Sequence, residues 1–403
     1  MKQIRIIAHY FRRLLIIVIK SLIGVIPKDK NKILFSAWFG KKYADSSMYV
    51  YEYMLNNTKY DVWWYTREKN IYQQLKKEGK KVVLASSFKG IYYQIRAIML
   101  VSSVQLADFN PYLLKNCIYL DLDHGFPIKQ SGFEQPGTTT RLISYHLLLR
   151  RGIDYYMSAS SEFVKVIISN GFKVDSNHIV KCNKPRTDIF FDSSLRAGIN
   201  LNIEKIRKEH KKIISYLPTQ RSCGKVAINI SQIMDLAYIQ KLCEKHDTIF
   251  IIKKHFYHKN EVENLDNYPN IIDITQEDIE TQTLLYQSDV LISDYSACYI
   301  DYLLLDRPII LYAYDFEHYL QTERGLYLKF EDNNCGYKVF NSEQFNVALE
   351  SVCNDWKDEK HAIGRKEIRD MYFAEDISVG NTREAISKVI SQLINKEYKA
   401  DWK

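Results

Sequence analysis

The chain has no cysteine framework to build on. Cys117, Cys182, Cys223, Cys243, Cys298, Cys335 and Cys353 are scattered and odd in number, without a CxxC or paired spacing. A disulfide scaffold and a structural zinc site are therefore poor readings, and a reducing cytoplasm is the better expectation. A Gly-rich P-loop ending in Gly-Lys-Ser/Thr, a GxGxxG turn and an HExxH pair are all missing, so P-loop, simple dinucleotide and zincin chemistry have no footing. No short-period repeat or low-complexity tract is present. The 30 tyrosines spread along the chain and never interleave with a basic stripe, which argues against a nucleic-acid partner.

Nor does any apolar run reach the ~20 residues that a spanning helix needs. The best stretch, Leu14 to Ile26, is broken by Lys20, Ser21 and Gly24 and follows Lys2, Arg5, Arg12 and Arg13. Its length suits a signal h-region, but Pro27 and a lysine-rich turn stand where a small-residue cleavage site belongs. Residues 1–27 are expected to form a basic amphipathic helix in the membrane interface; docking on the protein itself is the alternative.

What is present is ordinary globular material. At 403 residues, 46% hydrophobic and 26% charged, the chain can build two or three packed domains. A formal net charge of +8 favours anionic partners such as a nucleotide, a phosphate-rich acceptor or an acidic membrane surface.

Short apolar runs alternate with helical stretches from Lys32 onward. Strands are expected at 33–38, 61–66, 82–84, 103–106, 118–122 and 155–158, with helices around 46–56, 70–79, 89–100, 141–151 and 161–170, the last closed by Gly171. A second series follows a charged stretch near 200, with strands at 213–217, 249–252, 271–274, 290–293 and 309–312. Buried parallel strands read as such runs. The expected fold is α/β, two doubly wound Rossmann-like domains facing a cleft. The expected divisions are the helix at 1–27, an acceptor-side domain at 28–200, a donor-binding domain at 201–375 and a helix at 376–403.

Ligands of such sheets bind beyond the carboxyl ends of the strands, and several chemically capable residues fall there. His124 stands beside Asp121 and Asp123, where a carboxylate can orient an imidazole as a general base; it can equally bond only its own loop. The Asp121/Asp123 spacing also resembles a metal-binding DxD. Lys253, Lys254 and His255 close a strand, where cations suit a diphosphate, although a solvated turn has the same composition. Ser293, Asp294 and Ser296 precede an expected helix start and would either meet a phosphate or serve as caps. Arg186 would clamp phosphate, and Thr219 and Arg221 share the same strand edge.

Taken in order, these segments resemble the CDP-glycerol glycerophosphotransferase family of teichoic acid and capsule synthesis. The matching pieces are Gly125, Phe126, Pro127, Ile128 and Lys129 after His124; Pro185 to Asp188; Pro218, Thr219 and Arg221; Lys253 to His255; Ile292 to Ser296 with Asp301; and Arg307 to Asp315, with Asp45 to Glu52 near the amino end. The resemblance implies a GT-B-like fold, a CDP-alditol donor, a lipid-linked acceptor of the undecaprenyl type, the cytoplasmic face of the cell membrane, and no cofactor or metal. It implies His124 as the base. It also implies that His255, Lys253, Lys254, Arg186, Thr219 and the Ser293–Ser296 turn line the donor's pyrophosphate pocket. Glycerol or ribitol phosphate would pass to an acceptor hydroxyl with release of CMP.

The chain departs from the family at Lys253 and Phe256, where Arg and Pro are usual. It departs again at Gln220, where an aromatic is expected, and at Asn183, which replaces a glycine and can take a left-handed turn. A GT-B glycosyltransferase using a nucleotide sugar is the rival enzyme reading; it would release a nucleoside diphosphate.

Overall fold

The structure is a computed structural model describing residues 2–196, 201–210, 212–255, 258, 263–277, 279–377 and 379–402. It divides into two compact units, each built on one wholly parallel sheet. Unit 1 comprises Met1–His124, Ser131–Asp188 and Asp376–Lys403; unit 2 comprises Gly125–Gln130 and Ile189–Glu375. The sequence suggests one crossing near residue 200. Instead the chain lends 125–130 to unit 2, and it returns for its last helix, Thr382–Asn395, to unit 1.

In unit 1 the strands are β1 (Asp29–Phe35), β2 (Asp61–Thr66), β3 (Val82–Leu84), β4 (Ala97–Ser102), β5 (Cys117–Asp121), β6 (Ile153–Ala159) and β7 (Ile179–Lys181). Their order is β3-β2-β1-β4-β5-β6-β7, so the strand order reverses between β1 and β4. Ile33, Phe35, Trp64, Val101 and Leu120 fill one core with Ile386, Ile390 and Leu393 of the last helix. Unit 2 carries β8 (Lys212–Tyr216), β9 (Thr248–Ile252), β10 (Ile271–Asp273), β11 (Val290–Ser293), β12 (Ile309–Tyr312) and β13 (Tyr337–Val339). The order is β10-β9-β8-β11-β12-β13, with its reversal between β8 and β11. Its core joins Ile214, Phe250, Ile252, Ile292, Ile310 and Phe345. Every residue of β5, β9 and β11 is buried, as both-face coverage of a parallel sheet requires.

Some local expectations are corrected. The strand expected at 103–106 is β4, reached directly from a helix at Phe88–Arg96. The run from Ala97 to Val101 is apolar throughout, and periodicity alone cannot tell helix from buried strand there. That helix sits close on β3, because a Cβ at Gly90 would stand 2.1 Å from the Leu84 carbonyl oxygen. The helix expected to close at Gly171 ends instead at Phe172, with Lys173 left-handed at φ 53. Asn183 is absent from the positive-φ positions; its side chain donates to Thr187 Oγ1 and accepts the Lys184 N–H.

The amino-terminal helix spans Lys2–Gly24. Ile16, Lys20 and Ile23 face the protein, while Phe11, Leu14, Leu15, Ile17, Val18 and Leu22 are exposed. Buried Lys20 donates to the carbonyls of Leu114 (2.8 Å) and Leu149 (2.6 Å). Among the described residues, no helix is long and apolar enough to cross a membrane.

Candidate active site

In unit 1 the chemistry gathers where β1, β4 and β5 run out. Asp121, the last residue of β5, is fully buried, and its carboxylate accepts the N–H of Asp123 (3.0 Å) and the hydroxyl of Tyr155 (3.0 Å). That pull turns Asp123 into the left-handed region at φ 56, a conformation costing about 1–2 kcal/mol for a non-glycine residue. The Asp123 carboxylate in turn accepts the His124 N–H (2.7 Å) and lies 3.0 Å from His124 Nδ1. The imidazole is half-exposed and meets Trp38 edge-on, with ring centroids 5.4 Å apart.

This geometry separates the proton affinities of the three groups. Burial, then the charge of Asp123, pushes the Asp121 carboxyl up to about 7. Burial would also raise Asp123, but the hydrogen bonds and charge of His124 win and bring it down to about 2. For His124 burial works downward, yet Asp123, backed by Asp45, lifts the pKa above its ordinary value. With Nδ1 on Asp123, the tautomer that protonates Nδ1 leaves Nε2 as the acceptor. The DxD spacing thus serves the turn and the imidazole, one carboxylate each.

The loops around His124 are pinned from below. Asp108 is buried and accepts the N–H groups of Phe39, Ser103 (2.8 Å) and Val104 (3.0 Å). It thereby fixes a turn in which Trp38 and Phe39 are left-handed, at φ 50 and 64. The Asn183–Asp188 motif is consumed in the same framework. Lys184 Nζ donates to the Leu122 carbonyl (2.6 Å), and Arg186 Nη1 donates to the His124 carbonyl, so the two cations bracket Asp123. Arg186 Nη1 also lies 3.3 Å from Asp45 Oδ1, with both side chains buried. Asp188 accepts the N–H groups of Thr382 (2.9 Å) and Arg383 (2.8 Å) at the start of the last helix. Arg186, expected on the donor's phosphate, is here tied to the backbone of His124. Asp45, Asp108 and Lys184 join the site without being expected there individually; Asp45 opens the matching 45–52 segment, Lys184 adjoins the Pro185–Asp188 motif, and Asp108 carries no signal in the sequence.

Unit 2 holds the other expected residues. Gly125, Phe126, Pro127 and Ile128 are buried. Phe126 packs on Tyr372 and Phe373, and the Ile128 carbonyl accepts the Tyr327 N–H (3.0 Å). Lys129 bridges to Leu326 through its backbone. Its half-buried ammonium is pushed down to about 8 by burial and then by the Arg324 charge, against the pull of Asp294.

At the β8/β11 reversal, Ser293 Oγ donates to the Leu217 carbonyl (2.9 Å) beside buried Pro218. Asp294 accepts the N–H groups of Thr219 (2.8 Å) and Tyr295 (2.6 Å). Thr219 Oγ1 is buried without a hydrogen-bond partner among the described residues. Arg221 is closed between Asp294 (2.9 Å) and Asp315, which takes Nε at 2.6 Å and Nη2 at 3.0 Å. The rings of Tyr295, Tyr314 and Tyr319 surround it. The helix expected from Ser296 begins at Cys298 and runs only to Tyr302, and no side chain caps it. Ser296 is half-buried beside it.

After β9, Lys253 Nζ donates to the Glu277 carbonyl (3.4 Å) and His255 is half-buried. Lys254 points inward, 2.7 Å from Glu263 and 2.9 Å from the Ile228 carbonyl. Its charge is thus met by a carboxylate of the same unit. Phe256 lies outside the described residues.

The family model for CDP-Glycerol:Poly(glycerophosphate) glycerophosphotransferase matches residues 18–392. A teichoic acid poly(glycerol phosphate) polymerase of Bacillus spizizenii is 27% identical over 85% of this chain and 89% of its own length. A teichoic acid glycerol-phosphate transferase of Staphylococcus aureus is 24% identical over 82% and 86%. The chain spans only 53% of the Staphylococcus epidermidis polymerase, to which it is 28% identical. The wall teichoic acid polymerase TagF superposes with a TM-score of 0.74 at 23% identity, covering 98% of this chain and 99% of that one. The UDP co-structure of Staphylococcus aureus MnaA shares the fold at a TM-score of 0.54 and 12% identity, over 93% of this chain and 100% of that one. The two parallel α/β units are thus of the GT-B type, and the chain belongs to the CDP-glycerol:poly(glycerophosphate) glycerophosphotransferase family.

Proposed function

We propose that this protein transfers an alditol phosphate from a CDP-alditol to an acceptor hydroxyl and releases CMP, in teichoic acid or related envelope-polymer synthesis. The observation that carries the reading is the Asp123–His124 pair: a half-exposed imidazole, oriented through Nδ1, on a turn held by Lys184 and Arg186. Neutral His124 would take the proton of the acceptor hydroxyl through Nε2. The resulting oxygen attacks the phosphorus that bears the alditol. The bond from that phosphorus to the bridging oxygen breaks, and CMP leaves with that oxygen. In unit 2, Lys129, Thr219, Ser296, Lys253 and His255 are assigned to the donor's diphosphate, whose growing charge they would offset.

Both glycerol-phosphate and ribitol-phosphate polymerases occur among the relatives, and a TagF structure was obtained after a soak with CDPG. These relatives support a CDP-alditol donor without choosing the alditol. A lipid-linked acceptor at the membrane's inner face fits the exposed apolar side of the amino-terminal helix.

The test is to incubate the purified protein with a lipid-linked acceptor and CDP-glycerol or CDP-ribitol and follow CMP. Acceptor-dependent CMP from one donor is expected. His124→Ala should lower that rate by ~10²–10⁴ while donor binding survives. No CMP from either donor, with a nucleoside diphosphate released from a nucleotide sugar, would move the protein to the glycosyltransferases.

A further inference from the structure

Unit 2 contains a cavity of about 240 Å³ whose lining shares only Arg221 with the expected ligand contacts. Arg221 and Asp315 form part of its wall; the rest comes from 222–233, after β8, and from 314–323, after β12. Its charge balance argues against phosphate. Asp315 and Glu323 face a single guanidinium, Arg221, already engaged by Asp294 and Asp315. Its size suits a small molecule. The volume equals about eight waters at ~30 Å³ each and lies below the ~300–1,000 Å³ of sites for drug-sized ligands.

The remaining lining alternates hydrogen-bonding and apolar surface. Ile228, Ile233 and the rings of Tyr314 and Tyr319 offer faces for C–H groups, while Gln232 and Thr322 offer an amide and a hydroxyl. Glu323 is already oriented, because its Oε1 accepts both the N–H (2.6 Å) and the hydroxyl (2.9 Å) of Ser222. The Tyr314 hydroxyl is half-buried and without a hydrogen-bond partner among the described residues. A small, neutral molecule with a hydroxyl on every carbon suits such a wall. Each hydroxyl both donates and accepts, and the carbon edges lie on the rings.

The position fits as well. Asp294, which anchors Arg221, is the first residue beyond β11, so one side chain separates the cavity from the Ser293–Ser296 turn. We propose that this cavity is a polyol subsite, seating an alditol. The ligand is either the alditol of the donor or the terminal alditol of the acceptor chain, and this identification rests on the transferase reading above.

Two experiments test it on the full chain. Saturation-transfer NMR with free ribitol and free glycerol should show contact with the wild type that is lost in Gln232→Leu/Thr322→Val. Both side chains are solvent-exposed, so the fold is expected to persist. In turnover, losing these hydrogen bonds should raise one Michaelis constant about tenfold. A rise in the donor's KM alone identifies the donor's alditol; a rise in the acceptor's KM alone identifies the acceptor's end unit. Absence of polyol contact in the wild type, or contact undiminished in the variant, overturns the subsite. The NMR arm needs neither CDP nor acceptor, so polyol contact without any CMP release would sink the transferase reading and leave the cavity's chemistry standing.

Discussion

Arg186→Lys separates two uses of one cation. On a phosphate, Arg186 would contribute to donor binding; as placed, its Nη1 reaches the His124 carbonyl and Asp45 from a buried position. A hydrogen bond to a charged group contributes ~1.5–3 kcal/mol, and the left-handed Asp123 beside it costs about 1–2 kcal/mol. The tie and the strain are therefore comparable, so weakening the tie lets a relaxed turn compete. A lysine ammonium keeps the charge but lacks the planar fork, and is expected to hold one acceptor rather than both. If the relaxed turn takes over most molecules, kcat falls about tenfold, equivalent to ~1.4 kcal/mol, while the donor's KM stays put. Arg186→Gln also removes a positive charge that works against His124 protonation. The His124 pKa should then rise, and since the base must be neutral, the acid limb of kcat moves to higher pH. Loss of one partner from the buried pair costs ~3–5 kcal/mol, so the glutamine variant is best assayed well below its unfolding temperature. The assay is CMP release at saturating donor across pH 5–9 for wild type and both variants. A donor KM raised tenfold in Arg186→Lys, with kcat and the acid limb unmoved, would refute the tie and restore the phosphate clamp.

Asp121→Asn should flatten the pH dependence of stability. The folded carboxyl is raised to about 7 from ~4 unfolded, so between those values the folded state holds the extra proton and stability falls as pH rises. Urea midpoints at pH 4.5 and 7 should therefore differ less in the variant, and an unchanged difference would count against the shift. Leu14→Glu/Leu22→Glu, on exposed positions of the amino-terminal helix, should move the protein from anionic vesicles into the supernatant on sedimentation; equal partitioning would place the membrane contact elsewhere. Lys129, down to about 8, should lose its charge above that pH, so the donor's KM should climb between pH 7 and 9. Lys129→Arg should hold it level, and a wild-type KM constant over that range would remove Lys129 from the donor's phosphates.

The strands are legible where a short β-branched or aromatic run stands between turn signals, as from Asp61 to Thr66 or Val290 to Ser293. Legibility failed where one composition serves two periods, at Ala97–Ser102, and at the three-residue strands Ile179–Lys181 and Tyr337–Val339. The expected site residues could be picked out by type and position on the strand edges, but not by what they touch. Arg186 meets Asp45 from 141 positions away, and Arg221 meets Asp315 from 94. A cation's task depends on which carboxylate reaches it first, and local spacing carries no record of that.

That dependence sorts the cations of the site. A guanidinium such as Arg221, enclosed by two carboxylates and three tyrosine rings, has its charge cancelled at short range and shapes the β8/β11 turn. Lys254 is likewise paired, with Glu263, whereas Lys184 on the Leu122 carbonyl keeps a charge that Asp123 feels. Lys129 differs, since burial and neighbouring cations depress it without a paired carboxylate among the described residues. An ammonium so placed gains most from an arriving anion, which supplies the missing partner and restores the proton's affinity. Asp123 already meets Nδ1 of His124, so on the function proposed above Nε2 would take the hydroxyl proton. The function proposed above thus assigns a carboxylate-backed base to one unit and an under-compensated cation to the other, the two preparations that an alcohol and a diphosphate ester would each need.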